Sequence, residues 1–306
     1  MTIQILALGE AMVEFNQTGS DRDATYLQGF GGDTSNTAIA AARQGARAGY
    51  LSAIGDDAHG RLLQALWVAE GVDHAHVRVD AQAPTGVYFV SHDTAGHDFS
   101  YLRAGSAASR MRPHDLPKAA IESAQVLHLS GISAALSDSA CDTCFAAVEI
   151  ARAAGVKVSF DTNLRLKLWP LPRARAVIRA LIGLSDLCLP SHDDLSAMSG
   201  LEEDDTLIDH CLELGARSVA LKLGARGALV DDGRRRVRIA PHPSQAVDAT
   251  GAGDTFGGAL LARLVEGDDL EAAARYASVA AALSTEGFGA VAPMPRRDEV
   301  LAAMTP

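Results

Sequence analysis

Along most of this chain, short apolar runs alternate with longer amphipathic stretches, and that rhythm restricts the fold more than any other feature. "AGYLSAI" (48–54) leads into "DAHGRLLQALWVAEGV" (57–72), and "QVLHLSGI" (125–132) into "SDSACDTCFAAVEIARAAG" (137–155). "KVSFDTN" (157–163) precedes "LPRARAVIRALIGL" (171–184), and "SDLCLP" (185–190) precedes "SHDDLSAMSG" (191–200). "SVALKLG", a hairpin pattern in "GALVDDGRRRVRIA" and a long helix from Gly253 complete the series. Strands that are apolar on both sides need cover on both faces, and strands alternating with helices supply it through a mostly parallel sheet. Gly45, Gly71, Gly155 and Gly215 stand where helices should end.

Two early stretches break the rhythm, "AMVEFNQTGSDRDATYLQGFGG" (11–32) and "PTGVYFVSHDTAGHDFSYLRAG" (84–105). The second alternates, turns through a polar segment and returns, which is a β-hairpin pattern. The expectation is one domain over residues 1–306, with a small β-sheet lid formed from about 11–32 and 75–105. Ligands of open α/β sheets bind at the carboxyl ends of the strands. Here those ends carry Gly31-Gly32, "DTNLR" (161–165), "LKLGARG" (221–227) and "VDATGAGDTF" (247–256).

Composition removes several classes of function. A net charge of −11 and a pI near 5.3 argue against a surface that coats nucleic acid. The one basic run, "GRRRVR" (233–238), reads as a solvated strand face. No apolar run approaches the roughly 20 residues of a membrane span. The N-terminus reads as a strand running into acid, so the expected location is the cytoplasm. Cys141 and Cys144 form a lone C-x-x-C in a helical pattern, with no second ligand pair for zinc, so packing is the expected role.

Two common phosphate loops are missing. No Gly-Lys dipeptide occurs, which excludes the G-x-x-x-x-G-K-[ST] loop. Gly251, Gly253 and Gly257 are spaced wrongly, and too late in the chain, for a dinucleotide fingerprint. What "GAGDTFGGALLARL" provides is a helix start built from Gly251, Ala252 and Gly253, where unpaired amides and the helix dipole can meet a phosphate. It is an anion hole without a lysine of its own. Asp254 in the first turn is then either a cap or a base that takes the proton of an attacking alcohol. Asp248 reads equally as an ordinary loop aspartate, a holder of water around a divalent ion, or part of a monovalent-cation site such as one for K+.

The pair "GGDTSNTAIAAARQG" (31–45) and "DATGAGDTFGGALLA" (248–262) resembles the two signature motifs of the ribokinase-like (PfkB-type) carbohydrate kinases, over residues from about 3 to 300. That resemblance implies a Rossmann-like three-layer α/β/α domain with a small β lid, and transfer of the γ-phosphate of ATP to a sugar hydroxyl with Mg²⁺. It implies Asp254 as the base, Gly251, Ala252 and Gly253 as the anion hole, and Gly31, Gly32 and Asn36 against the sugar. Asn163, Ser191, Lys222, Gly224 and Gly227 would lie along the nucleotide. Where members often carry N-x-x-E, this chain has Ser191-His192-Asp193-Asp194, so Asp194 takes the glutamate's place in ordering Mg²⁺ and its waters. Lids of this kind often pair, which makes a homodimer the expected assembly.

The acceptor must be read from the lid. Tyr88, Tyr101 and Arg103 lie on its strands and Arg165 closes "DTNLR". Two guanidinium groups suit a carboxylate better than a neutral sugar. This pattern, with "LGEAMVEF" and "LHLSGIS", resembles the members that phosphorylate 2-keto-3-deoxygluconate, a sugar acid. A neutral-sugar kinase of fructokinase or ribokinase type is the alternative, and a non-catalytic sugar sensor a more distant one.

Overall fold

The computed structural model describes residues 2–18, 25–93 and 96–305. Residues 19–24 of the first lid stretch and 94–95 of the second lie outside them. In chain order the strands are β1 (Ile5–Leu8), β2 (Met12–Gln17), β3 (Tyr26–Gly31), β4 (Ala48–Gly55), β5 (Asp73–Asp80), β6 (Val87–Asp93) and β7 (Gly96–Leu102). They continue as β8 (Val126–Ser130), β9 (Lys157–Asp161), β10 (Leu187–Cys188), β11 (Val219–Lys222), β12 (Ala228–Asp231) and β13 (Arg236–Ile239). The helices are α1 (Asp33–Arg43), α2 (Ala58–Glu70), α3 (Lys118–Ser123), α4 (Gly131–Ala135), α5 (Asp138–Ala153) and α6 (Leu171–Leu184). After them come α7 (His192–Ser199), α8 (Asp204–Leu214), α9 (Ala252–Glu266), α10 (Leu270–Ser284) and α11 (Arg297–Met304).

Nine strands form one sheet in the order β13-β12-β11-β10-β9-β8-β1-β4-β5. From β5 to β11 every pairing is parallel, and only β12 runs against the rest, antiparallel to both β11 and β13. The chain winds outward from β1 to β5, then restarts at β8 on the other side of β1 and winds the opposite way. Right-handed crossovers therefore place α1 and α2 on one face and α5, α6 and α8 on the other, and the crevice between β1 and β8 is where a ligand belongs. Alternation along β1 shows both faces filled. Leu6 and Leu8 pack with α5, α6 and α8, whereas Ile5 and Ala7 pack with α1, α9 and α10.

The second sheet, in the order β3-β2-β6-β7, is the small lid anticipated from the alternating stretches. Val13 pairs with Val87 and Phe15 with Phe89, and these side chains join the core around α2. Met12, Tyr88 and Val90 form a separate buried cluster that Phe99 packs against. The expected lid boundary is corrected at one end: residues 75–80 belong to β5, the edge strand of the large sheet, and the second lid segment begins at Val87.

The basic arm is largely exposed, as a solvated strand face, and it is also ion-paired. Arg236 donates to Asp231 and Asp205 at 2.9 Å, and Arg238 reaches Asp204 at 2.8 Å. The run is therefore an ion-paired face bound to α8, whose acids lie far from it in sequence. All four cysteines are buried and unoxidised. No helix among the described residues is long and apolar enough to cross a membrane.

Candidate active site

The start of α9 is shaped by glycine. Gly251 adopts φ of 75° as the residue before the helix, and a Cβ there would stand 2.8 Å from the carbonyl oxygen of Ala290. An L side chain is disfavoured on both counts. Thr255 N closes the first turn on Gly251 O at 2.8 Å, which leaves the earlier amides without intrahelical acceptors. That of Ala252 turns to Ala249 O at 3.2 Å, so the contribution to an anion hole falls chiefly on its neighbours. A lysine from another strand also reaches this helix start. Lys222, at the end of β11, brings Nζ to 3.4 Å from where a Cβ on Gly253 would stand. The two are 31 positions apart in sequence, so no loop motif could announce the pairing.

Lys222 is ion-paired with Asp161, at the end of β9. Burial alone would lower the ammonium's pKa, but the charges of Asp161, Asp254 and Asp194 outweigh it and raise the pKa. The cation is thus locked in its charged form beside the helix start. Asp254 lies opposite. Desolvation, then the charges of Asp33 and Asp161, push its pKa up to about 7, against the pull of Asn36 and Lys222. Asn36 Nδ2 donates to Asp254 Oδ2 at 2.8 Å, which aims the carboxylate from α1. A carboxyl poised near neutrality in a cleft has the properties of a general base.

The first turn of α1 holds a residue that the sequence motifs did not single out. Asp33 is buried, and its Oδ2 accepts from Asn163 Nδ2 at 3.1 Å. The side chain of Asn163, expected beside the nucleotide, braces this acid at the start of α1. It does so from φ of 31°, the one positive value for a non-glycine residue among the described residues. Asp33 Oδ1 and Asn36 Oδ1 are both buried without a hydrogen-bond partner.

The lid residues meet as a stack. Tyr88 and Tyr101 rings lie 5.6 Å apart, and the Arg103 guanidinium sits 5.7 Å from the Tyr101 centroid. Gly31 leaves room for this stack, since a Cβ there would fall 2.3 Å from Tyr88 Oη. Gly32 precedes α1, packed against the Glu10 backbone. Two acids went unread in "LGEAMVEF". Tyr88 Oη donates to Glu14, and Arg103 Nε donates to Glu10 Oε2 at 2.7 Å. The guanidinium groups are consequently less free than their sequence positions suggest. Arg165 donates to Leu164 O at 2.7 Å, with its charge felt by Asp33, Asp194 and Tyr101. Arg103 Nη2 lies 2.6 Å from the same Glu10 oxygen but out of line for a hydrogen bond, and it has no acceptor.

On the other side of Lys222, the remaining residues organise loops. Ser191 bridges to Lys222 along the sheet edge, and its hydroxyl accepts from Asp194 N at 3.1 Å. Asp194 Oδ2 takes Thr162 Oγ1 and Leu164 N, both at 3.0 Å, which ties it to the turn carrying Asn163 and Arg165. Gly224 opens a short turn after β11, and Gly227 starts the hairpin against Ile239 O. His192 bonds Glu202 O at 2.9 Å. Asp248 accepts from Thr250 N and from Gly289 N, both at 2.9 Å, and so staples the loop before α9 to the 284–293 loop. Asp254, Asn36 and Lys222 are therefore brought together, with the lid cluster near enough for Tyr88 to feel the Asp254 charge. Gly224 and Gly227 lie at the rim. No group of three or more His, Cys, Asp or Glu able to hold a metal is present among the described residues.

The family model for pfkB family carbohydrate kinases matches residues 2–297. The chain is 35% identical to a 2-dehydro-3-deoxygluconokinase of Thermoproteus tenax, covering 98% of this chain and 94% of the relative. It is 31% identical to a probable fructokinase-4 of Arabidopsis thaliana, covering 97% and 95%. A putative ribokinase II of E. coli, solved in complex with ATP and Mg²⁺, superposes with a TM-score of 0.90 at 26% identity over 99% of each chain. A doubly wound sheet, a four-stranded lid and an acid at a glycine-built helix start thus occur in a chain that matches the family from end to end: it belongs to the pfkB family of carbohydrate kinases.

Proposed function

We propose that this kinase transfers the γ-phosphoryl group of ATP to the 6-hydroxyl of 2-keto-3-deoxygluconate. Asp254 takes the hydroxyl proton as that oxygen bonds to phosphorus and the bond from phosphorus to the bridging oxygen of ADP breaks. Negative charge on the transferred group is met by the amides around Gly251 and Gly253 and by Lys222, groups held in place before the reaction starts. Mg²⁺ bound to the phosphates would neutralise further charge. By the family resemblance, Asp194 would order the water around that ion.

The observation that carries the acid-sugar reading is the polarity of the cleft. Under the lid, Arg103 Nη2 is buried 2.6 Å from Glu10 Oε2 but makes no hydrogen bond, with Tyr88, Tyr101 and Arg165 around it. At the floor, Asn36 Oδ1 is buried without a donor beside Asp254. A ligand with a carboxylate at one end and hydroxyls at the other satisfies both. The relatives named for 2-dehydro-3-deoxygluconate, the same compound, are in keeping with this. A neutral sugar is the second reading, supported by the Glu10 counter-charge on Arg103 and by the fructokinase relatives. Arg165→Ala distinguishes them. Losing charge-assisted hydrogen bonds to a carboxylate should raise KM for the keto acid about 30-fold, and KM for fructose by less than about 3-fold. Equal rises for both acceptors would sink the carboxylate role.

A further inference from the structure

Arg43 has no place in the chemistry described so far, yet it ties the two halves of the site together. It is the last residue of α1, the helix whose first turn carries Asn36 to Asp254. Its side chain and that of Glu70 in α2, 9% and 10% exposed, form a paired bridge: Nε lies 2.8 Å from Oε2 and Nη2 2.7 Å from Oε1. Two parallel bonds fix the plane of the guanidinium. The remaining nitrogen, Nη1, donates to two main-chain carbonyls, Val291 O at 3.0 Å and Met294 O. Both lie in the segment after α10, which is neither helix nor strand. In that segment Gly289 N bonds Asp248, and Ala290 lies so close to Gly251 that a Cβ on the glycine would stand 2.8 Å from its carbonyl oxygen. One path of contacts thus leads from Asp254 through Asn36 and α1 to Arg43. From there it returns through residues 289–294 to Gly251, where α9 and Asp254 begin.

We propose that Arg43 is a positioning residue for phosphoryl transfer: by holding Val291 and Met294 it seats the loop behind Gly251, and so fixes the start of α9 relative to the helix that aims the base. The inference rests on reading that helix start as the anion hole, but not on which sugar is phosphorylated. Packing does little to locate the loop on this side. A cavity of about 470 Å³ opens there, lined by Arg43, Leu283, Glu286, Pro293, Met294 and Arg296. Carbonyls held by a planar, always charged fork therefore set the loop's position. Gln44 Nε2 also donates to Pro295 O at 2.8 Å, so the far end of the segment stays docked when Arg43 is removed. A lysine would keep a charge opposite Glu70, but its three donors cannot serve all four acceptors. A displacement of about 1 Å at reacting groups costs on the order of 100-fold in rate, even when its origin is remote.

The test measures kcat and the acceptor's KM per folded enzyme, below the melting transition, in wild type, Arg43→Ala, Arg43→Lys and Gly253→Ala. The acceptor is whichever of 2-keto-3-deoxygluconate and fructose the wild type turns over better. Arg43→Ala should lower kcat about 100-fold and Arg43→Lys about 10-fold, with KM within about 3-fold of wild type. Guanidinium, well below denaturing concentrations, should raise kcat of Arg43→Ala at least about 10-fold by entering through the cavity to Glu70 and the two carbonyls. Methylammonium, which has no planar fork, should not. A residue that only holds the fold together predicts wild-type kcat in whatever fraction is folded. Wild-type kcat in folded Arg43→Ala overturns the proposal, and Arg43→Lys decides in the same way should Arg43→Ala fail to fold. A loss confined to KM overturns it too, as does a loss in Arg43→Ala that guanidinium leaves unchanged. Gly253→Ala, which sets a methyl 3.4 Å from Lys222 Nζ, tests the anion hole separately. Wild-type kcat in that variant overturns the anion-hole reading. Lost turnover there, with wild-type kcat in both Arg43 variants, overturns the Arg43 proposal alone. Turnover of neither sugar by the wild type overturns the acceptor reading and this proposal with it.

Discussion

Asp254→Asn should lower kcat by roughly 1,000-fold or more, the contribution expected of a positioned general base, while nucleotide affinity changes little. The amide keeps the size of the carboxyl and can still accept from Asn36 Nδ2, now 2.8 Å from Asp254 Oδ2, so geometry is preserved and only basicity is removed. In the wild type the same group sets the pH dependence. With a pKa of about 7, the base is protonated in acid, so kcat/KM should rise with pH through about 7 and level off above it.

Stability should move the other way. Asp254 titrates higher in the folded chain than in the unfolded one, where an aspartate sits near about 3.9. Its contribution to stability is therefore fully present below that value and lost as pH rises through about 7. Asp254→Asn should then raise Tm at pH 8.5 and leave it nearly unchanged at pH 4. Normal turnover in this variant would remove Asp254 from the chemistry. A fall in Tm at pH 8.5 would show that the carboxylate is not held at the expense of the fold.

The second large effect should come from Gly258→Val. The crossing of α1 and α9 sets the distance between the residues that meet the acceptor and the base, and Gly258 is where the helices touch. A Cβ there would stand 2.4 Å from Thr37 O, 2.6 Å from Ala40 Cβ and 2.8 Å from Ala41 N. Two of those three atoms are backbone and cannot turn aside, so the helices must separate. Overpacking of this kind costs about 3 kcal/mol, corresponding to a Tm drop of roughly 5 °C for a chain of this size. Because Asn36 lies on the displaced helix, kcat should fall too, whereas a surface change of equal cost elsewhere should spare it. Thermal melts and turnover measured on the same preparation check both halves. An unchanged Tm would mean that the crossing is looser than the packing indicates.

The reach of the sequence into this account follows the range of the interactions. The helix start at Gly251 and the lid strands are local features, written in glycine spacing and in two-residue alternation, and they were readable. The partners of the site residues are not local. Arg103 lies 93 residues from Glu10, and Asn163 lies 130 residues from Asp33. Which acid meets which donor depends on how the sheet and lid fold together, and no spacing rule expresses that. Lys222 beside Gly253 is the same case: the anion hole looked free of lysine because its lysine comes from another strand. Asp33 was in plain view inside "GGDTSN", yet only the bracing by Asn163 marks it as more than a helix-start acid. The short β10, Leu187–Cys188, and the edge strand β5 escaped clear delimitation because both are defined by neighbours rather than by their own periodicity.

The central claim is that the acceptor is a sugar acid. A coupled ADP-release assay at saturating Mg·ATP, run with 2-keto-3-deoxygluconate, fructose and ribose, tests it most directly. Paired donors to a carboxylate are worth enough to separate the acceptors, so kcat/KM for the keto acid should exceed that for either neutral sugar by about 100-fold or more. A neutral sugar turned over as efficiently as the keto acid, or better, would contradict the account.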